Sequence, residues 1–149
     1  MKLMNQSRRG FTLIEIMVSV SIMVILTIIG VVSYSQINKR SRDVKRKGDI
    51  EQIRSALEMY RSDDVGYPAG NYPNWGIASD YLGILVGTYI PAIPTDPQQS
   101  SWNYYYIATN MDDNKYYGYC VCGMLETINA LSSTCSVSYG TYNYCLKSP

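Results

Sequence analysis

Between residues 11 and 34 the chain carries one charged side chain, Glu15, in twenty-four positions. At about 1.5 Å per residue such a helix is roughly 36 Å long, enough to cross a hydrocarbon core of about 30 Å. Tyr34 stands where interfacial aromatics occur, and beyond it the pattern changes without ending. Ile50, Ile53, Leu57 and Tyr60 recur at helical spacing on one face, with Glu51, Gln52, Arg54, Ser55 and Glu58 on the others. The pattern predicts one long helix to about residue 61, apolar over 11–34 and amphipathic over 35–62, whose second half packs on a head. Gly30 and Gly48 fall inside it, each costing up to about 1 kcal/mol against alanine. Asp63-Asp64-Val65-Gly66-Tyr67-Pro68 is a stop signal, a glycine past the last periodic residue and then a proline.

Residues 63–102 read as loop-rich, with prolines at 68, 73, 91, 94 and 97. Within them Asp80 is expected to cap a short helix through Leu85, with Leu82, Ile84, Leu85 and Val86 packed against the long helix. Two tyrosine-rich strands, 103–109 and 115–124, flank a five-residue polar turn at 110–114, and 137–146 supplies a third antiparallel strand. Tyr104, Tyr105, Tyr106, Tyr116, Tyr117 and Tyr119 alternate between faces, so some rings pack on the helix and others reach solvent. The expected fold class is α+β: a long N-terminal transmembrane and amphipathic helix packed on a small three-stranded antiparallel sheet. The chain divides into a leader at 1–10, an apolar helix half at 11–34, an amphipathic half at 35–62 and a head at 63–149, whose loop region is 63–102 and sheet 103–149.

The formal charge of +1 conceals a polarity. Lys2, Arg8 and Arg9 give the leader +3, the apolar run carries −1, residues 35–62 carry +4 and residues 63–149 carry −5. A basic stem and an acidic head favour head-to-stem contacts between subunits, although exposed pairs are individually weak. Six basic residues at 39–47 lie just beyond the apolar run, and counting positive charge alone would leave the C-terminal side in the cytoplasm. Four cysteines, all in the last thirty residues, argue instead for an oxidising compartment and an exported head. The 39–47 cluster reads as a solvated helix face that anchors the span at the membrane interface. Anionic headgroups and DNA are the alternative partners.

A carboxylate near a membrane span needs a partner. If the chain is cut after Gly10, Phe11 acquires a positive α-amino group, and Glu15 lies four residues on, on the same helical face. The pair closes within one chain or between neighbouring helices, and only the second arrangement makes a polymer. The plainer reading is an uncleaved signal anchor with an acid tolerated near its end. Gly10-Phe11-Thr12-Leu13-Ile14-Glu15 after a short basic leader resembles the processing site of type IV pilins and type II secretion pseudopilins. The resemblance implies cleavage after Gly10 by a prepilin peptidase, N-methylation of Phe11, and Glu15 as the acid that sets register against a neighbour's amine. It implies a pilus-like filament subunit, stored in the inner membrane with its head outside the cytoplasm and then assembled into a surface or periplasm-spanning filament. Its partners would be the lipid bilayer, copies of itself, other pilins and an inner-membrane assembly platform driven by a separate ATPase. A secretion pseudopilin and a non-polymerising anchored binding module are the alternatives. Tyr89-Ile90-Pro91-Ala92-Ile93-Pro94-Thr95-Asp96-Pro97 resembles the loop that leads into the sheet in major pseudopilins.

Cys120 and Cys122, two apart on a strand, share a face at a separation too large for the ~3.8 Å Cβ spacing of a disulfide. They are expected to pair with Cys135 and Cys145, in either of two connectivities. A four-cysteine zinc site lacks its usual close-spaced ligand pairs, and no metal is expected there. Some pseudopilin heads bind calcium, for which Asp112 and Asp113 are the obvious oxygens, although adjacent acids are ordinary turn residues. With no histidine, phosphate-binding loop or dinucleotide fingerprint, the chain is expected to be neither an enzyme nor a cofactor carrier.

Overall fold

The computed structural model describes residues 10–70, 73–98, 101–127, 132–133, 135 and 142–149. The leader up to residue 9 and most of the segment expected as the start of the third strand lie outside the described residues. Helix α1, Leu13–Asp63, is continuous for 51 residues. Gly30 and Gly48 do not break it, and a Cβ at either would meet no atom within 4 Å. The chain divides into two compact units between Asn38 and Lys39, inside α1.

In the first unit, the side chains from Phe11 to Ile37 stand exposed, and α1 is long and apolar enough to cross a membrane by length and composition. The hydroxyls of Ser19, Ser21, Thr27 and Ser33 donate to the carbonyl oxygens of Glu15, Met17, Met23 and Ile29 at 2.7–2.9 Å. Each of these four hydroxyls is thereby satisfied by its own helix, which an apolar surround requires.

The second unit is built on the rest of α1. Ile50, Ile53 and Leu57 are fully buried, each worth roughly 1.5–3 kcal/mol of apolar transfer. They pack with Tyr106, Tyr119 and Val121 of the sheet, with Tyr104 just before the strand Tyr105–Asp112, and with Leu82, Leu85 and Ile90 of the intervening segment. Among the described residues the sheet has five strands where the sequence suggested three: β1 (Gly76–Ile77), β2 (Tyr105–Asp112), β3 (Lys115–Gly123), β4 (Ser132–Ser133) and β5 (Tyr144–Lys147), in the order β1-β2-β3-β5-β4. Both additions are two-residue strands, too short to show periodicity, and β4 runs parallel to β5 while the other pairings are antiparallel. The α+β class stands.

The hairpin turn is tighter than its polar run of five suggested. Pairing continues to Asp112 opposite Lys115, leaving Asp113 and Asn114 as a two-residue turn at φ 44° and 61°. Asp and Asn tolerate the left-handed region through local hydrogen bonding, and this turn type matches the twist of its strands. Gly66, at φ 121°, lets Tyr67 N–H reach the carbonyl of Tyr116 at 2.7 Å; a Cβ there would lie 3.0 Å from that same oxygen.

Asp80 does not cap a helix. Helix α2 spans only Ala78–Tyr81 with Ile77 at its N-cap, and a 3-10 turn, Gly83–Leu85, follows. A repeat near three carries Leu82 and Leu85 inward together, so Ile84 and Val86, expected in the core, remain exposed at 61% and 43%.

Candidate functional site

Gly10, Phe11 and Thr12 precede the first turn of α1 in no regular element, so the Gly10–Phe11 peptide bond sits outside the helical ladder. Thr12 caps the helix. Its Oγ1 accepts from the Glu15 backbone N–H at 3.3 Å, and the Thr12 N–H donates to Glu15 Oε2 at 3.5 Å. This reciprocal arrangement is a capping box, which satisfies two of the four donors a helix start leaves over. Glu15 thus has a structural partner in the intact chain, namely the Thr12 amide. The Thr-x-x-Glu spacing is its sequence signal, and it shares its acid with the pairing expected for a Phe11 amine. Phe11 is 79% exposed.

The second constellation lies in the head unit, where charge patterning suggested a solvated basic face. Arg46 and Asp43 are buried instead. Arg46 donates from Nε and Nη2 to Asp96 at 2.8 and 3.1 Å, from Nη1 to Asp43 and Glu126 at 2.9 Å each, and from Nη2 to Gln98 at 3.2 Å. Its guanidinium stacks over Trp102 at 4.3 Å. Asp43 also accepts from the backbone N–H groups of Glu126 and Thr127 and from the Thr127 hydroxyl, and Arg42 grips both oxygens of Glu126. Burial alone would lower the Arg46 pKa, but the bonds to Asp96 and Glu126 more than offset it and raise the value. Burial raises Asp43, yet the Thr127 hydroxyl, the two backbone donors and Arg46 hold it below its ordinary range. The bond from Arg42 does most to depress Glu126. Asp43, Arg46 and Glu126 therefore stay ionised near neutrality, and the cluster ties the loops at 94–98 and 125–127 to α1. Its signal was present: positions 43 and 46 continue the 50, 53, 57, 60 spacing backwards, but polar residues do not register in a search for apolar periodicity.

Two further features fix the sheet. Glu58 accepts from Tyr119 at 2.8 Å and from Tyr67 at 3.1 Å, and Tyr104 donates to Asp49 at 2.7 Å, so buried phenols reach carboxylates on α1. Cys120 is bonded to Cys135 and Cys122 to Cys145, with Cα separations of 6.1 and 4.2 Å. Cys122 and Cys145 are direct cross-strand neighbours on β3 and β5. The Sγ atoms of Cys122, Cys135 and Cys145 lie close together, but bonded in pairs they offer no thiolate to a metal. Asp112 ends β2, and Asp113 serves the turn.

The family model described as the prokaryotic N-terminal methylation motif matches residues 5–32, the stretch that holds Gly10, Phe11, the capping box and most of the apolar run. Type II secretion system core protein G of Pseudomonas aeruginosa is 41% identical over 68 residues, 44% of this chain and 46% of that protein. Its namesake in Escherichia coli K12 is 29% identical over 119 residues, 76% of this chain and 79% of the relative, and that of Dickeya chrysanthemi 32% over 95 residues, 64% and 56%. The match to the Pseudomonas protein thus spans less than half of its length. No solved structure matches the chain. The methylation motif thus falls on a capped apolar helix, and the similarity to core proteins G of type II secretion systems extends beyond that helix into the head.

Proposed function

We propose that this chain is a filament subunit of the pseudopilin type, processed after Gly10, N-methylated on Phe11 and polymerised through the exposed helix that follows. The observation that carries the reading is the run of exposed apolar side chains from Phe11 to Ile37, most of which lies within the match to the methylation motif. Such a surface is at rest only in lipid or against other apolar helices. The relatives' shared name, core protein G of a type II secretion system, favours a secretion pseudopilus over a surface pilus. Cleavage has a defined consequence at the helix start. It replaces the Gly10–Phe11 amide by an ammonium four residues from Glu15, so the carboxylate acquires a second, charged claimant beside the Thr12 N–H. An incoming subunit that leaves either charge unpaired in the filament core is penalised, which is how Glu15 would set register. Prepilin peptidase, an assembly platform with its own ATPase, and storage in the inner membrane with the head exported belong to this reading.

Glu15→Gln and Glu15→Ala test it together. Glutamine keeps the capping geometry and removes the charge, whereas alanine removes both. Both variants are expected to insert normally and to lose filament yield. A glutamine variant that assembles at the wild-type level would refute the register role. The intact mass of membrane-extracted protein then decides processing: a chain starting at Phe11 with one added methyl supports it, and one starting at Met1 in a host with active peptidase refutes it.

A further inference from the structure

We propose that Lys39, Arg40 and Lys45 form a basic collar around α1 that binds anionic phospholipid headgroups in the leaflet on the head side of the span. This rests on the apolar run entering a bilayer and deepens the membrane-anchored reading by naming the lipid class and the residues.

The cluster at 39–47 divides by function once the fold is known. Arg42 is taken by Glu126, Arg46 is buried among Asp43, Asp96 and Glu126, and Lys47 lies over the Tyr144 ring at 5.5 Å. Lys39, Arg40 and Lys45 remain exposed, and among the described residues none of them enters an ion pair. The one acid within 39–47, Asp43, is turned inward. Lys39 follows Ile37, the last exposed apolar residue of the run, by two positions on a continuous helix, an axial step of about 3 Å.

Geometry selects the partner. At about 100° per residue, Arg40 stands roughly 100° and Lys45 roughly 240° around the axis from Lys39. Charges spread around a helix within about 9 Å of its length suit a planar layer that encircles it. A protein partner or a DNA duplex would engage one side and leave the others idle. Lysine and arginine also extend apolar stems along a span while their heads stay at the interface.

The full-length protein, reconstituted in vesicles of equal parts phosphatidylcholine and phosphatidylglycerol, provides the test. Native mass spectrometry after gentle detergent extraction reads the ratio of the two lipids retained on the protein. The wild type is expected to retain phosphatidylglycerol preferentially, less so at high salt, as screening requires. Lys39→Gln/Lys45→Gln is expected to lower that preference by roughly fivefold or more, at an attraction of about a factor of five per basic side chain. Lys115→Gln/Lys147→Gln makes the same change in net charge elsewhere on the head and is expected to retain the preference. Equal loss in both double variants, or no preference in the wild type, overturns the collar. DNA binding by the solubilised protein that disappears in Lys39→Gln/Lys45→Gln, without a lipid preference, overturns it in favour of nucleic acid. Failure to float with these vesicles sinks the membrane reading itself, whereas flotation without headgroup preference sinks the collar alone.

Discussion

Replacing Arg46 with methionine removes the centre of the buried ionic cluster while keeping an unbranched apolar stem. The structure says which group is then orphaned. Asp43 retains two backbone donors and the Thr127 hydroxyl, and Glu126 retains both bonds from Arg42. Among the described residues, Asp96 is left with the Gln98 backbone N–H at 2.7 Å and a fully buried side chain. Breaking a buried pair by removing one partner costs on the order of 3–5 kcal/mol, because the surviving charge stays desolvated. For a unit the size of this head, about 4 °C per kcal/mol makes the expected fall in Tm roughly 12–20 °C. Near-ultraviolet circular dichroism of the full chain in detergent reads it, since the head carries most of the fifteen tyrosines and both tryptophans. Asp96→Asn in the Arg46→Met background removes the orphaned charge and is expected to recover part of the loss, a coupling that a double-mutant cycle isolates. A Tm within 2 °C of wild type for Arg46→Met, or a double variant no better than the single one, would show that Asp96 is not held as a buried carboxylate by Arg46.

Acid should loosen the same cluster. Asp43 and Glu126 have depressed pKa values in the folded head, so their contribution is present above the unfolded carboxylate range and is lost as pH falls through the folded values. Thermal stability is therefore expected to hold from neutrality to about pH 5 and to drop below about pH 4; an unchanged Tm at pH 3 would contradict the assignment. Removing the Cys122–Cys145 bridge with a paired Ser substitution should cost about 2–4 kcal/mol in urea unfolding. An unchanged midpoint would mean that the hydrogen bonds between β3 and β5 hold the last strand without it.

The apolar run from residue 11, the amphipathic face at Ile50, Ile53 and Leu57, the stop at Gly66 and the tyrosine-rich hairpin are all legible in the chain itself. Each depends on local periodicity or on one residue's backbone freedom, and these do not require a partner to be read. The same holds for the N-terminal methylation motif, whose residues are adjacent in sequence. What the tertiary structure alone decided involves groups far apart in sequence. Arg46 and Asp96 are fifty residues apart, and Arg46 and Glu126 eighty. Read locally, a basic run beside an apolar span is a solvated face, and only the packing of two loops on α1 buries Arg46 and pairs Arg42 with Glu126. The choice between two disulfide connectivities follows the same rule: Cys122 meets Cys145 because the register of β3 on β5 sets them opposite each other, leaving Cys135 for Cys120. Periodicity reports which face of an element is apolar; which charges that face must neutralise is fixed only when the chain brings their partners to it.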